Sequence, residues 1–126
     1  MVEELARLLV VDDEASLVVL LQRYLTRLGY EVESCPDAEQ ALERFEKQPD
    51  RYAAVLADLT LPGMSGEEMV VKMLAVRPDL PVLVCSGLPL DPSLFAAQGR
   101  RVEFLQKPFL PKMLADALQK VLKPRT

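Results

Sequence analysis

The sequence predicts an α/β fold: one parallel sheet of five strands, doubly wound with helices on both faces. Three observations carry that prediction. Apolar runs such as Leu8-Leu9-Val10-Val11 are continuous rather than alternating, as in strands buried on both sides. Segments with helical spacing alternate with those runs along the chain, the pattern of repeated βαβ units. Several runs then end on a polar or charged residue, at the edge where such sheets bind ligands.

Taken in order, Leu8–Val11 is the first strand. Glu14–Leu28 reads as a helix, with Leu17, Leu20, Leu21, Tyr24 and Leu28 inward and Gly29 suited to its left-handed end. Glu31–Cys35 alternates and is the second strand. Asp37 is placed to cap a second helix that runs to about Gln48, with Ala38, Ala41, Leu42 and Phe45 inward. Tyr52–Ala57 is the third strand, followed by a loop from Pro62 to Gly66. Glu67–Val76 is the third helix, with Pro78 just beyond it. Pro81–Cys85 is the fourth strand. Between Leu88 and Arg101, Pro89 and Pro92 delay a helix and Gly99 ends it, so a short fourth helix is expected. Val102–Leu105 is the fifth strand and Phe109–Leu122 the fifth helix, with Pro111 tolerated in its first turn. Right-handed crossovers and one reversal of strand order then give the flavodoxin-like order 2-1-3-4-5. The 126 residues show no repeat, linker or low-complexity tract and stop soon after the last helix, so a single domain over 1-126 is expected.

Composition excludes several functions. The formal net charge of -4 argues against direct binding of nucleic acid, whose phosphates favour clustered Lys and Arg. No apolar run approaches the roughly 20 residues that span a bilayer, and Met1–Arg7 lacks a signal-peptide core. A cytoplasmic location without membrane insertion is expected. Cys35 and Cys85 sit in apolar, strand-like stretches and read as buried reduced thiols. The chain has no histidine, so a Ser–His triad, a histidine metal site and a phosphohistidine must all lie elsewhere.

Function is written at the strand ends. Asp12-Asp13-Glu14 follows the first strand, Asp58 the third, Ser86 the fourth and Lys107-Pro108 the fifth. In the expected strand order, Asp12, Asp13, Asp58 and Ser86 surround one cleft, with Lys107 arriving from the edge. Three carboxylates that close repel one another and call for a cation. All-oxygen ligands of this kind suit Mg2+, which commonly bridges carboxylates and a phosphate. Lys107 adds a positive charge and Ser86 a hydroxyl donor, so the cleft suits a phosphoryl group beside a divalent metal, with one carboxylate as nucleophile. Each residue also has an ordinary reading. An Asp after a strand often caps the next helix, Ser86-Gly87 makes a turn, and an isolated lysine is usually a solvated surface group.

The set resembles the receiver domain of two-component response regulators over nearly the whole chain. The carrying segments are Leu9-Val10-Val11-Asp12-Asp13-Glu14, the stretch from Leu56 to Gly66 around Asp58, Val84-Cys85-Ser86-Gly87, and Phe104-Leu105-Gln106-Lys107-Pro108-Phe109. The resemblance implies that Asp58 takes a phosphoryl group from the phosphohistidine of a sensor histidine kinase or histidine phosphotransfer protein. It implies that Asp12, Asp13, Asp58 and the backbone carbonyl of Thr60 bind Mg2+, and that Ser86 and Lys107 contact the phosphoryl group. It also implies an aromatic switch at Phe104 coupled to Ser86, and a cis bond before Pro108. The readout surface is then expected around the fifth strand and last helix, at Phe104, Gln106, Met113 and Leu114, for a partner or for a second copy in a homodimer. The Pro62–Gly66 loop, the segment Arg77–Pro81 and the short fourth helix resemble receivers attached to hybrid histidine kinases.

Three departures from the family pattern stand out. Phe104 has no hydroxyl where a tyrosine is common, Gly99-Arg100-Arg101 replaces a Gly-Ala pair, and Leu88 lacks a polar group to orient water near Asp58. Two other functions share parts of the pattern. A phosphatase of the haloacid-dehalogenase type also forms an acyl phosphate, but it needs an Asp-x-Asp pair, and here the residue two beyond Asp12 is Glu14. An inert interaction module would keep the fold without the chemistry, yet Asp12, Asp13, Asp58, Ser86 and Lys107 are all present. A signalling switch rather than an enzyme is the expected function.

Overall fold

Five parallel strands pair in the order β2-β1-β3-β4-β5, as expected from the sequence: β1 (Arg7–Val11), β2 (Glu31–Cys35), β3 (Ala54–Asp58), β4 (Val82–Ser86) and β5 (Val102–Gln106). The structure is a computed structural model and describes residues 5–89, 91, 93–96 and 101–123. Its helices are α1 (Ala15–Arg27), α2 (Ala38–Lys47), α3 (Gly66–Val76) and α4 (Pro111–Leu122), with a 3-10 turn at Pro49–Arg51. Continuous apolar strands alternate their side chains between two cores. Leu8, Val10, Ala54, Leu56, Leu83, Cys85 and Leu105 pack under Leu21 and Leu25 of α1 and Leu114, Leu118 and Val121 of α4. Leu9, Val11, Val55, Ala57, Val82 and Val84 pack under α2 and α3.

The helix count differs from expectation. Among the described residues there are four α-helices and one 3-10 turn rather than five helices. Between β4 and β5 the chain makes a turn at 93–96, in which Asp91 Oδ1 accepts the Ser93 backbone N–H at 2.9 Å and its hydroxyl at 2.7 Å. Phe95 has φ +69°, a left-handed conformation incompatible with a continuing helix, and its ring is buried in the α2–α3 core. Pro89 and Pro92 bring no backbone N–H to a helix at its start. The expected helix end at Gly99 and the departure at Arg100 lie outside the described residues.

The inward face of α1 is also corrected. Leu21 and Leu25 are its buried residues, whereas Leu20 is 63% and Leu28 45% exposed. Leu20 sits about 100° around the helix from Leu21, and Leu28 is the C-cap, beyond the helical contact with the sheet. Asp37 caps α2 as expected, accepting the Gln40 N–H at 2.8 Å. Ser65 caps α3 by accepting the Glu68 N–H at 3.1 Å. Arg77, at the end of α3, donates to the carbonyls of Pro49 (3.1 Å) and Tyr52 (2.7 Å), and so anchors the entry to β3.

Below β2, the Tyr52 hydroxyl donates to Glu33 Oε2 at 2.6 Å, and Arg7, Arg44 and Arg51 stand 3.4–3.5 Å from the same carboxylate. Burial alone pushes Glu33 up, but the Tyr52 hydrogen bond and the Arg51 and Arg44 charges outweigh it and hold the carboxyl below its ordinary value. Glu33 therefore stabilises the fold above its unfolded-state pKa, and that contribution is lost as pH falls through the lower folded-state value. Burial, reinforced by Glu33, pushes Tyr52 from 10.0 up to about 12. The phenol resists ionisation in the fold, so its contribution is present below 10.0 and is lost as pH rises toward about 12. Tyr52→Phe should cost about 1.5–3 kcal/mol near neutral pH, the worth of a hydrogen bond to a charged group. It should also lessen the stability lost on the alkaline side. Urea denaturation across pH checks both, and a variant as stable as wild type would remove the bond from the account.

Candidate functional site

The strand register builds the site. β1 pairs with β3 so that Val11 lies opposite Ala57, which brings the next residues, Asp12 and Asp58, side by side. One carboxylate oxygen from each of Asp12, Asp13 and Asp58 lies within 4.8 Å of the others. Asp12 and Asp58 are buried, at 5% and 6% exposure, and Asp13 faces solvent. Ser86 ends β4, 1% exposed, and its hydroxyl oxygen accepts the Leu88 N–H at 3.1 Å.

Short backbone contacts fix both buried carboxylates. Asp12 Oδ1 accepts the Glu14 N–H at 2.9 Å, and Asp58 Oδ1 accepts the Thr60 N–H at 3.1 Å. Asp13 is not the cap of α1: that position belongs to Glu14, and no side chain caps the helix. Lys107 is not a free surface lysine. Its ammonium lies 2.8 Å from Asp12 Oδ2 and 3.5 Å from Asp58 Oδ2. Its backbone N–H donates to the Ser86 carbonyl at 2.7 Å, and the Lys107–Pro108 bond is cis. Burial acts to lower the Lys107 pKa, but the Asp12 hydrogen bond and the charges of Asp12 and Asp58 raise it, so the ammonium stays protonated. Cys85, opposite Asp58 in the β3–β4 register, is a different case. Burial, opposed by Lys107 and aided by Asp12 and Asp58, pushes its thiol up to about 12, which makes it an inert neutral neighbour.

The remaining sequence-predicted residues lie around this centre. Thr60 is exposed, with its backbone turned back onto Asp58. Phe104 is half-buried against the α2–α3 core, opposite Val84, while Gln106 is opposite Ser86. Side chains two apart on a strand share a face, so Phe104 and Ser86 lie on the same side of the sheet. Leu88 is 62% exposed and Met113 47%. Leu114 is corrected: at 1% exposure it belongs to the α1–α4 core and forms no surface, because the amphipathic face of α4 turns it toward the sheet. Beneath the carboxylates, between the sheet and α1, a void of about 10 Å³ is lined mostly by apolar residues, among them Leu17, Leu21, Leu56, Cys85 and Phe109.

One contact was legible only as part of a motif. Gly66 opens α3 and donates its N–H to the Leu59 carbonyl at 3.1 Å. A Cβ there would collide with the Asp58 carbonyl oxygen and stand 2.8 Å from Leu59 Cα. Helix α3 therefore starts directly against the end of the strand that carries Asp58, and only a residue without a side chain permits it.

Comparison with known proteins agrees with this geometry. The family model for the response regulator receiver domain matches residues 8–119. The chemotaxis protein CheY of Thermotoga maritima is 32% identical over 120 residues, 93% of this chain and 98% of that protein. Other curated relatives are longer: the chain spans 31% of a two-component response regulator of Arabidopsis thaliana, at 31% identity. A CheY-like receiver domain from Methanospirillum hungatei superposes with a TM-score of 0.85 at 26% identity, over 94% of both chains. The receiver domain of a sensor histidine kinase from Pseudomonas aeruginosa, whose structure has a magnesium ion coordinated in the active-site cleft, gives 0.79 at 25% identity, over 94% of this chain and 98% of that one. The chain belongs to the response regulator receiver domain family, whose phosphoacceptor-switch function its fold and acidic cleft fit.

Gly66→Ala should destabilise the fold by about 1–3 kcal/mol, the range for forcing a methyl group into a packed site. It should also displace the Asp58 and Leu59 backbone resonances. Denaturation with amide chemical shifts checks it, and unmoved Asp58 and Leu59 signals would contradict the close packing.

Proposed function

We propose that the chain is a phosphorylation-dependent switch of a two-component phosphorelay in which Asp58 is the phosphoacceptor. The donor is the phosphohistidine of a sensor histidine kinase or histidine phosphotransfer protein, which supplies the histidine this chain lacks. The observation that carries the reading is the cluster of Asp12, Asp13 and Asp58, two of them buried, around the single ammonium of Lys107. Three negative charges against one positive favour a divalent cation, and an all-oxygen set of this hardness fits Mg2+. Asp12, Asp13, Asp58 and the Thr60 carbonyl are the groups assigned to it. When bound, Mg2+ neutralises charge on the phosphoryl oxygens.

Asp58 attacks the phosphorus. A P–O bond to its carboxylate forms, and the P–N bond of the phosphohistidine breaks, its electron pair leaving on the imidazole nitrogen, which takes up a proton. Thr60 holds Asp58 Oδ1 through its N–H, which fixes the orientation of the nucleophile. Lys107 offers its ammonium to a phosphoryl oxygen and Ser86 its hydroxyl. The similarity to a receiver of a sensor histidine kinase is compatible with a place in a hybrid-kinase relay.

Readout follows from the shared face of Ser86 and Phe104. A Ser86 hydroxyl drawn toward the phosphoryl group leaves room for the half-buried Phe104 ring, and a partner reads whichever state it binds better. The surface involved is β5 with the exposed start of α4, at Phe104, Gln106 and Met113.

Acetyl phosphate with Mg2+ should add the mass of one phosphoryl group to wild type and none to Asp58→Asn. Intact-mass measurement checks this, and full labelling of the variant would sink the assignment. Asp13→Asn should weaken Mg2+ binding by about tenfold or more, since even outer-shell partners of a metal site cost that much. Calorimetric titration reads it, and equal affinity in the two proteins would rule out the ligand set.

A further inference from the structure

Glu39 lies in the first turn of α2, yet its side chain reaches the loop that joins β3 to α3. Its Oε1 accepts the Met64 backbone N–H at 2.8 Å, across 25 residues of sequence. Gly63, with φ +74°, passes so close that a Cβ there would stand 2.9 Å from the same oxygen. The bare backbone at 63 and the carboxylate at 39 therefore fit each other.

This bond adds a clamp at the middle of a loop whose base is closed by the Gly66 N–H on the Leu59 carbonyl at 3.1 Å. From Asp58 the chain is tied first by the Thr60 N–H to Asp58 Oδ1 at 3.1 Å, then by burial of Leu61. Pro62 and Gly63 are exposed, and the next fixed point is the Met64 N–H on Glu39. Ser65 and Gly66 then start α3. Among the described residues, Glu39 is the one side chain outside the loop that hydrogen-bonds to the backbone between Leu61 and Ser65.

We propose that Glu39 is a positioning residue for the metal centre: by holding the Met64 N–H it fixes the backbone that carries Thr60. The inference deepens the proposed function and rests on its assignment of the Thr60 carbonyl to Mg2+. Glu39 is not one of the three carboxylates of the cluster. Its effect must therefore pass through the loop or through its charge, and the two routes separate by substitution. Glu39→Gln keeps an oxygen acceptor and removes the charge. Glu39→Ala removes both, at no loss of helix propensity in α2.

The test is Mg2+ titration by calorimetry on wild type, Glu39→Gln and Glu39→Ala, with amide exchange of Met64 followed in each. Expected are Met64 protection and near wild-type affinity in Glu39→Gln, and lost protection with about threefold to tenfold weaker binding in Glu39→Ala. Wild-type affinity in Glu39→Ala would overturn the proposal. So would equal weakening in both variants, which would make the effect one of charge alone. A wild type that protects Met64 but binds no Mg2+ would overturn the assigned metal site, and this inference with it.

Discussion

The ammonium of Lys107 stands against two carboxylates that the β1–β3 register forces together in the protein interior. Asp12 and Asp58 leave most of their hydration behind, and neighbouring like charges in such surroundings are tolerable only when paired. Lys107 follows β5 while Asp12 follows β1, so one ion pair reaches across the ends of four strands in the order β1-β3-β4-β5. The strand order is thus not a neutral feature of the architecture. The Lys107 N–H bond to the Ser86 carbonyl holds the lysine's backbone to β4, so the cation is placed by the sheet rather than by its own flexible side chain.

The two faces of the sheet are not equivalent. The α1–α4 core is built from whole helical faces, with Leu21, Leu25, Leu114 and Leu118 covering the strands. On the other face α2 and α3 cover much of the sheet, and the turn between β4 and β5 contributes the buried ring of Phe95. Phe104 packs on that side, half-buried, beside the side chain line that ends in Ser86. A core of dense packing does not deform continuously, so a ring at its margin is where two arrangements of similar energy are easiest to accommodate.

Much of this was legible in the sequence because it is written in short segments. Apolar runs that stop at Asp12, Asp58, Ser86 and the Gln106-Lys107 pair mark both the strands and the site, since a strand end and a polar side chain coincide there. The cap at Asp37 and the burial of both cysteines were readable for the same local reason. The face of α1 was not, because apolar residues nearly encircle it: Leu17, Val18, Val19, Leu20, Leu21 and Leu25 leave the period ambiguous until the sheet selects Leu21 and Leu25. The segment between β4 and β5 has turn residues at both ends and a short apolar middle, which a short helix and a turn around Phe95 satisfy equally. The Glu39 contact with Met64 had no signal at all, since an exposed glutamate in a first helical turn already has a sufficient reason to be there.

Asp12 and Asp58 end their strands with the same device: one oxygen accepts the N–H two residues on, and the other faces Lys107. The consequence is one of timing. A free aspartate must give up rotational freedom at the moment it reacts, which costs about 0.5–1.5 kcal/mol for an immobilised side chain. Here that freedom is surrendered once, when the chain folds, and no later encounter has to repeat the loss. On the proposed phosphoacceptor role of Asp58, a carboxylate already aimed by the fold needs no further ordering when a donor arrives.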